Sequence, residues 1–304
     1  MNLKFYFITL FIILLFNNRL SAQIDPRTYL KENRFGEVSI AKGIKFATVV
    51  NYKGLSQDLL CDIYQPVGDI SKNRPCIVWI HGGGFRSDSK RTQNYVVTYA
   101  TDFAKRGFVC ISIDYRLRDG ADMPTKAEEF PALKDAARDA NTVLDWIRAN
   151  AYSYNINPSY LFVAGGSAGG RIAITVAQFI GPDVSATTSP ENNYKNKVWN
   201  KKGIIAAGIL WGGLENEFRN WTYPFLNTKS IPAILIHGEQ DKTISVQNSI
   251  DLATAMTIAK VNNELHIIPE LGHTPTGTKT NPLIENWLGN FFVNEWIKTL
   301  SCQK

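Results

Sequence analysis

Ser167 stands in the run Gly165-Gly166-Ser167-Ala168-Gly169. A serine hydroxyl is a poor nucleophile until a base takes its proton, and it must also be held out where a substrate can meet it. A Gly-x-Ser-x-Gly run meets the second need when a strand turns sharply into a helix, because the serine then projects from the turn and the glycines remove side chains that would collide. Residues 161–164 (Leu-Phe-Val-Ala) read as a strand, and Ala168-Gly169-Gly170-Arg171-Ile172-Ala173 opens a helix at once. An incidental serine in a glycine-rich turn is the plainer alternative, and the strand before and helix after weigh against it. The helix N-terminus also directs free N–H groups and the positive end of its dipole toward the serine, where an acyl-transfer oxyanion would form.

A second glycine run, His81-Gly82-Gly83-Gly84-Phe85, follows an apolar stretch. Consecutive glycines let backbone N–H groups come close to a ligand, so Gly83 and Gly84, together with the N–H of Ala168, are candidate oxyanion donors. A phosphate loop is the competing use, but neither a Gly-Lys-Ser/Thr ending nor a dinucleotide glycine pattern is present. Four histidines could supply the base. His81 belongs to the glycine loop. His237 and His266 lie inside apolar strand runs and read as core or strand-end residues. His273 sits in Glu270-Leu271-Gly272-His273, just past a strand, where α/β sheets gather functional groups. For the group that orients the imidazole, Ile234-Leu235-Ile236-His237-Gly238-Glu239-Gln240-Asp241 offers Asp241 and, earlier in the turn, Glu239; Asp241 could instead cap the helix expected near Val246.

These residues need a frame. Strand-like runs cover 76–81, 108–114, 161–164, 204–211, 233–237 and 264–269, and helix-period segments cover 127–149, 168–180, 246–260 and 283–300. Such alternation predicts βαβ units and a parallel sheet covered on both faces. Residues 44–64 hold two strand-like runs around Tyr52-Lys53-Gly54, which predicts a hairpin, and 24–43 reads as irregular or short helix. The polar stretch 181–202 and the irregular stretch 212–230 are expected to be loops over the site. Phe85, Trp211, Trp221 and Tyr223 follow or adjoin the chemical loops and are candidates to line a substrate pocket, although packing would account for each equally well.

The chain has 304 residues, 44% apolar and 20% charged, enough for one large core and unlike a disordered chain. Residues 1–22 stand apart: Lys4, an apolar run over 5–16, then Leu20-Ser21-Ala22. This pattern predicts an export signal cleaved after Ala22, because the run is too short for a spanning helix. The mature chain, 23–304, is then one domain, secreted or periplasmic, with no stable membrane span. Loss of Lys4 and Arg19 lowers the formal charge from +6 to +4. No basic stripe points to nucleic acid. Cys61, Cys76, Cys110 and Cys302 show no zinc spacing; the first three fall in predicted strands as buried thiols, and whether any pair oxidises is left open.

His-Gly-Gly-Gly-Phe, then Asp114-Tyr115-Arg116-Leu117, then Gly-Gly-Ser-Ala-Gly-Gly resemble the esterase/lipase branch of the α/β-hydrolases, which includes hormone-sensitive-lipase-like and bacterial acetyl and feruloyl esterases. The resemblance runs over about 44–300. It implies an α/β-hydrolase fold, a mostly parallel eight-stranded sheet with helices on both faces and a small cap or none. It also implies Ser167 as nucleophile, His273 as base and Asp241 as acid, through the pattern His-Gly-x-x-Asp and the order Ser, acid, His. The oxyanion donors would be Gly83, Gly84 and Ala168, with no metal or cofactor. Hormone-sensitive-lipase-like members usually carry Asp before the serine, where this chain has Gly166, and have a longer N-terminal cap than 23–43 offers. The likeness therefore leans to acetyl and feruloyl esterases. The expected activity is hydrolysis of short-chain or carbohydrate-linked esters, small or polysaccharide-borne, by a monomer or homodimer. A non-catalytic binding module on this fold would lack a member of the Ser-His-Asp set, and none is missing. A serine peptidase of the prolyl-oligopeptidase type would need a large β domain for which the chain has no room.

Overall fold

The computed structural model describes residues 25–86, 90–118, 126–178, 201–215, 219–220, 222–275 and 280–301. The expected signal segment, most of 181–202, Trp221 and Cys302 lie outside the described residues.

Eight strands form one sheet: β1 (Val38–Val50), β2 (Ser56–Pro66), β3 (Arg74–Ile80), β4 (Val109–Ile113), β5 (Ile156–Gly166), β6 (Ile204–Leu210), β7 (Ala233–Gly238) and β8 (Asn263–Ile268). Their order is β1-β2-β4-β3-β5-β6-β7-β8. β1 and β2 pair antiparallel, as do β2 and β4, and the remaining neighbours are parallel. This is the α/β-hydrolase sheet that the motifs implied. The hairpin closes where expected: the Asn51 side chain accepts from the N–H groups of Lys53 and Leu55. β1 starts earlier than expected, at Val38, preceded by a short 3-10 helix, Pro26–Leu30.

Central strands are buried on both faces, and their side chains alternate between two cores. From β3, Cys76, Val78 and Ile80 face the core under α2 (Lys126–Asn150), α3 (Ala168–Gln178) and α4 (Gln247–Ile258). Ile77 and Trp79 face the opposite core, under α1 (Asn94–Arg106) and α5 (Thr280–Ser301). Helix α1 was not expected. Its first turns, Tyr95-Val96-Val97-Thr98-Tyr99, use residue types that favour strands. Burial of Val96, Tyr99, Ala100 and Phe103 on one stripe, closed by Gly107 in the left-handed conformation, overrides that preference. Cys61, Cys76 and Cys110 are buried free thiols. No described helix is long and apolar enough to cross a membrane.

Candidate active site

The chemistry-bearing residues gather at the C-terminal ends of the parallel strands, the edge at which open α/β sheets present their sites. β5 ends at Gly166 and α3 begins at Ala168, so Ser167 alone makes the turn, with φ at +56°. A non-glycine residue there is strained, and the turn is held by Ser167 N–H donating to the Leu210 carbonyl at 2.9 Å. The turn is crowded: a Cβ on Gly169 would lie 2.1 Å from the Ile80 carbonyl oxygen, and one on Gly166 would lie 2.6 Å from the Trp211 ring.

The Ser167 hydroxyl donates to His273 Nε2 at 2.9 Å. His273 Nδ1–H donates to Asp241 Oδ2 at 2.7 Å. Residues 106 positions apart in the chain thus share one hydrogen-bonded line. Burial pushes the Asp241 carboxyl up, but the hydrogen bonds from His273 and from the N–H groups of Ile244 and Thr243 outweigh it and hold the group below its ordinary value. Asp241 therefore stays ionised at neutral pH beside the imidazole. Oδ1 accepts within the strand-end turn, from Thr243 and Ile244, which is not helix capping, because α4 begins only at Gln247. Glu239 is exposed, His266 stacks on Trp287 at 4.2 Å, and neither joins the line.

The glycine loop comes close to the serine turn. A Cβ on Gly82 would lie 2.9 Å from the Gly166 carbonyl oxygen and 3.1 Å from Ser167 Cβ. Gly83 and Gly84 turn with φ of +104° and +62° and line the cleft beside Ser167 and His273. Ala168 is the first residue of α3, so its N–H has no partner within the helix.

The Asp-Tyr-Arg-Leu motif proves to be the clamp on this loop. Tyr115 O–H reaches the His81 and Gly82 carbonyls at 3.0 and 3.3 Å, and its ring stacks on His81 at 4.2 Å. Burial pushes the His81 pKa down to about 4, so the ring is neutral. Asp114 takes a 2.6 Å bond from Arg91, and the buried Arg116 pairs with the buried Asp139 at 2.8 Å. From the other side Gln93 accepts from Gly82 N–H at 3.0 Å, and the Tyr95 hydroxyl accepts from Gly166 N–H at 3.1 Å.

A cleft of about 840 Å³ opens over Ser167 and His273. Trp211 borders it but is 1% exposed, so its ring offers the cleft little surface. Phe85 does not line it. With φ at +63°, the chain reverses at this residue, and its ring is fully buried, edge-on to Tyr115 at 6.2 Å. Tyr223 packs away from the cleft, beside Arg219. The pocket role expected for Trp221 falls outside the described residues. Sequence reasoning missed Arg86, Asn94, Glu129, Thr243, Thr274 and Pro275 on the cleft walls, and also His237. That ring is buried at the end of β7 with Nε2 3.0 Å from Asp241 Oδ2. A polar ring inside a fully buried strand, four residues before the acid, was the signal that could have found it.

The BD-FAE family model matches residues 61–206. The chain is 34% identical over 183 residues to an AB hydrolase superfamily protein of Schizosaccharomyces pombe, covering 53% of this chain and 50% of that protein. It is 33% identical over 129 residues to the carboxylesterase NlhH of Mycobacterium tuberculosis, covering 42% of this chain and 36% of that one. The chain spans half or less of the length of the curated relatives it matches. Among solved structures, esterase 2 of Thermogutta terrifontis, phosphoramylated by tabun, superposes with a TM-score of 0.63 at 23% identity, over 85% of this chain and 94% of that one. That likeness is one of fold.

Proposed function

We propose that the chain is an α/β-hydrolase of the esterase type, and that it hydrolyses carboxylic esters through an acyl-enzyme on Ser167. The observation that carries the reading is the line Ser167 Oγ, His273, Asp241 at 2.9 and 2.7 Å, open to the cleft. In this reading His273 takes the hydroxyl proton as Ser167 attacks the ester carbonyl, and Asp241 holds the imidazole tautomer and offsets the imidazolium charge. The oxyanion falls to the N–H groups of Gly83, Gly84 and Ala168, where one donor is worth about a hundredfold or more in rate. His273 then protonates the departing alcohol, and water, activated by the same imidazole, frees the acid.

Ser167→Ala is expected to abolish turnover of short-chain p-nitrophenyl esters and labelling by a fluorophosphonate probe. Retention of both would end the proposal. We further propose that the natural esters are acetyl or feruloyl groups on carbohydrate. Arg86, Gln93, Asn94, Glu129, Thr243 and Thr274 line the cleft and offer hydrogen-bond partners to a carbohydrate. Rates on acetylated xylan, methyl ferulate and simple acyl esters separate these classes; preference for simple aliphatic acyl esters would refute the carbohydrate reading.

A further inference from the structure

His237 is fully buried and is not needed to complete the line from Ser167 to Asp241, yet it touches that line. Its hydrogen atoms can be assigned from its neighbours. Nε2 lies 3.0 Å from Asp241 Oδ2 and 2.9 Å from the Ile244 carbonyl oxygen. Both only accept, so Nε2 carries a hydrogen. Nδ1 lies 2.7 Å from the Ser249 hydroxyl on α4, which itself lies 2.7 Å from the Gly212 carbonyl oxygen. That hydroxyl has one hydrogen. Given to Nδ1, it describes a neutral ring; given to Gly212, it requires a second ring hydrogen and a charged one. Burial lowers the His237 pKa, and the Ile244 carbonyl and Asp241 oppose it without prevailing, so the neutral form holds at neutral pH. The titratable groups facing the ring are Asp241 from the turn after β7 and, beyond it, His273 from the loop after β8. α4 and the end of β6 contribute only the Ser249 hydroxyl and the Gly212 carbonyl.

One carboxylate oxygen, Asp241 Oδ2, therefore accepts from two imidazoles, His237 at 3.0 Å and His273 at 2.7 Å, while Oδ1 is occupied by the Thr243 and Ile244 N–H groups. We propose that His237 is a positioning residue whose Nε2–H fixes the Asp241 carboxylate and draws off part of its charge, so setting how strongly His273 acts as a base. The proposal rests on the reading of Ser167, His273 and Asp241 given above. Charge shared with a second donor is charge withheld from the first. Without His237 the carboxylate stabilises a protonated His273 more strongly, and it is also less firmly placed.

The test is the pH profile of kcat/KM for the full chain and for His237→Leu and His237→Gln. The leucine variant is expected to move the acid limb upward by about one pH unit, the size of one lost hydrogen bond to a charged group, and to lower kcat by about tenfold or more through misplacement. The glutamine variant, which offers Asp241 a neutral N–H donor, is expected to return the acid limb toward the unsubstituted profile. An unmoved acid limb in a folded leucine variant, or identical profiles for the two variants, would overturn the proposal. A measurement on the unsubstituted protein does not depend on either variant folding. Ring nitrogen shifts should report His237 as the neutral Nε2–H tautomer at pH 7, and an Nδ1–H tautomer there would also overturn it. Activity surviving in Ser167→Ala would instead remove the underlying reading, a separate and distinguishable failure.

Discussion

Gly166→Ala puts one methyl group where the structure has room for none. A Cβ at this position falls 2.6 Å from Trp211 Cζ2 and 2.7 Å from both Cε2 and Nε1. Carbon atoms in contact sit at about 3.5 Å or more, so the indole must retreat by roughly an ångström. It has nowhere easy to go. Trp211 is 1% exposed, its ring meets Tyr95 edge-on at 5.3 Å, and its backbone is fixed by a 2.6 Å bond to the Ile236 carbonyl. Overpacking of this kind costs about 1–3 kcal/mol. For a domain of this size that lowers Tm by about 2–5 °C. Trp211 also borders the cleft, and Gly166 precedes the serine, so a shift of this size is expected to lower kcat/KM by about tenfold to a hundredfold. Thermal melts and ester kinetics on Gly166→Ala, Trp211→Phe and the double variant form a cycle. The smaller ring should relieve the clash, so the double variant should melt above the value obtained by adding the two single effects. A Gly166→Ala protein with unchanged Tm and rate, or strictly additive effects, would refute the steric argument.

Two further predictions concern stability. Asp139→Ala removes the nearest carboxylate from the buried Arg116, leaving Asp135 at 3.9 Å, and should destabilise by about 3 kcal/mol; denaturant melts measure it, and an unchanged midpoint would show that Asp135 suffices as counter-charge. Glu285, on α5, has its pKa raised from 4.5 to about 7, chiefly by burial and then by Asp102, with Arg106 opposing. The folded state therefore keeps a proton that the unfolded chain releases between those values. Its contribution is full below about pH 4.5 and is lost as pH rises through about 7, on the order of 3 kcal/mol in all. Glu285→Gln should flatten the decline of Tm across that window, and an unaltered slope would assign the decline elsewhere.

The hydrogen-bonded line of Ser167, His273 and Asp241 was legible because each residue lies in a local pattern with one mechanical meaning. Ser167 stands between a strand and a helix, and His273 and Asp241 each follow an apolar strand by a few residues. What was hidden depends on contacts between distant segments or on backbone signs that side-chain types do not report. Phe85 looked like a pocket residue by adjacency, but a positive φ in a non-glycine residue, fixed only by the loop's surroundings, turns it into the core. Tyr115 was recognisable as part of a motif, yet its work on the His81 and Gly82 carbonyls appears only when β3 and β4 lie side by side. Helix α1 carried helical spacing under strand-favouring residues, and burial decided between them.

Gly166 shows how one residue type acquires meaning from its neighbour. In the sequence it was a departure from relatives that carry Asp before the serine. In the structure the missing side chain is the space that Trp211 occupies, and the indole that fills it also borders the cleft. An Asp there would have to displace that ring. The glycine and the tryptophan are therefore one structural choice: a buried indole packed behind the Ser167 turn in place of a carboxylate. An anionic side chain at that place would put a charge beside the serine, whereas the indole, 1% exposed, supports the turn from within. The steric cycle proposed for Gly166 and Trp211 thus tests how firmly the Ser167 turn is held. If the two positions are uncoupled, the indole does not hold that turn.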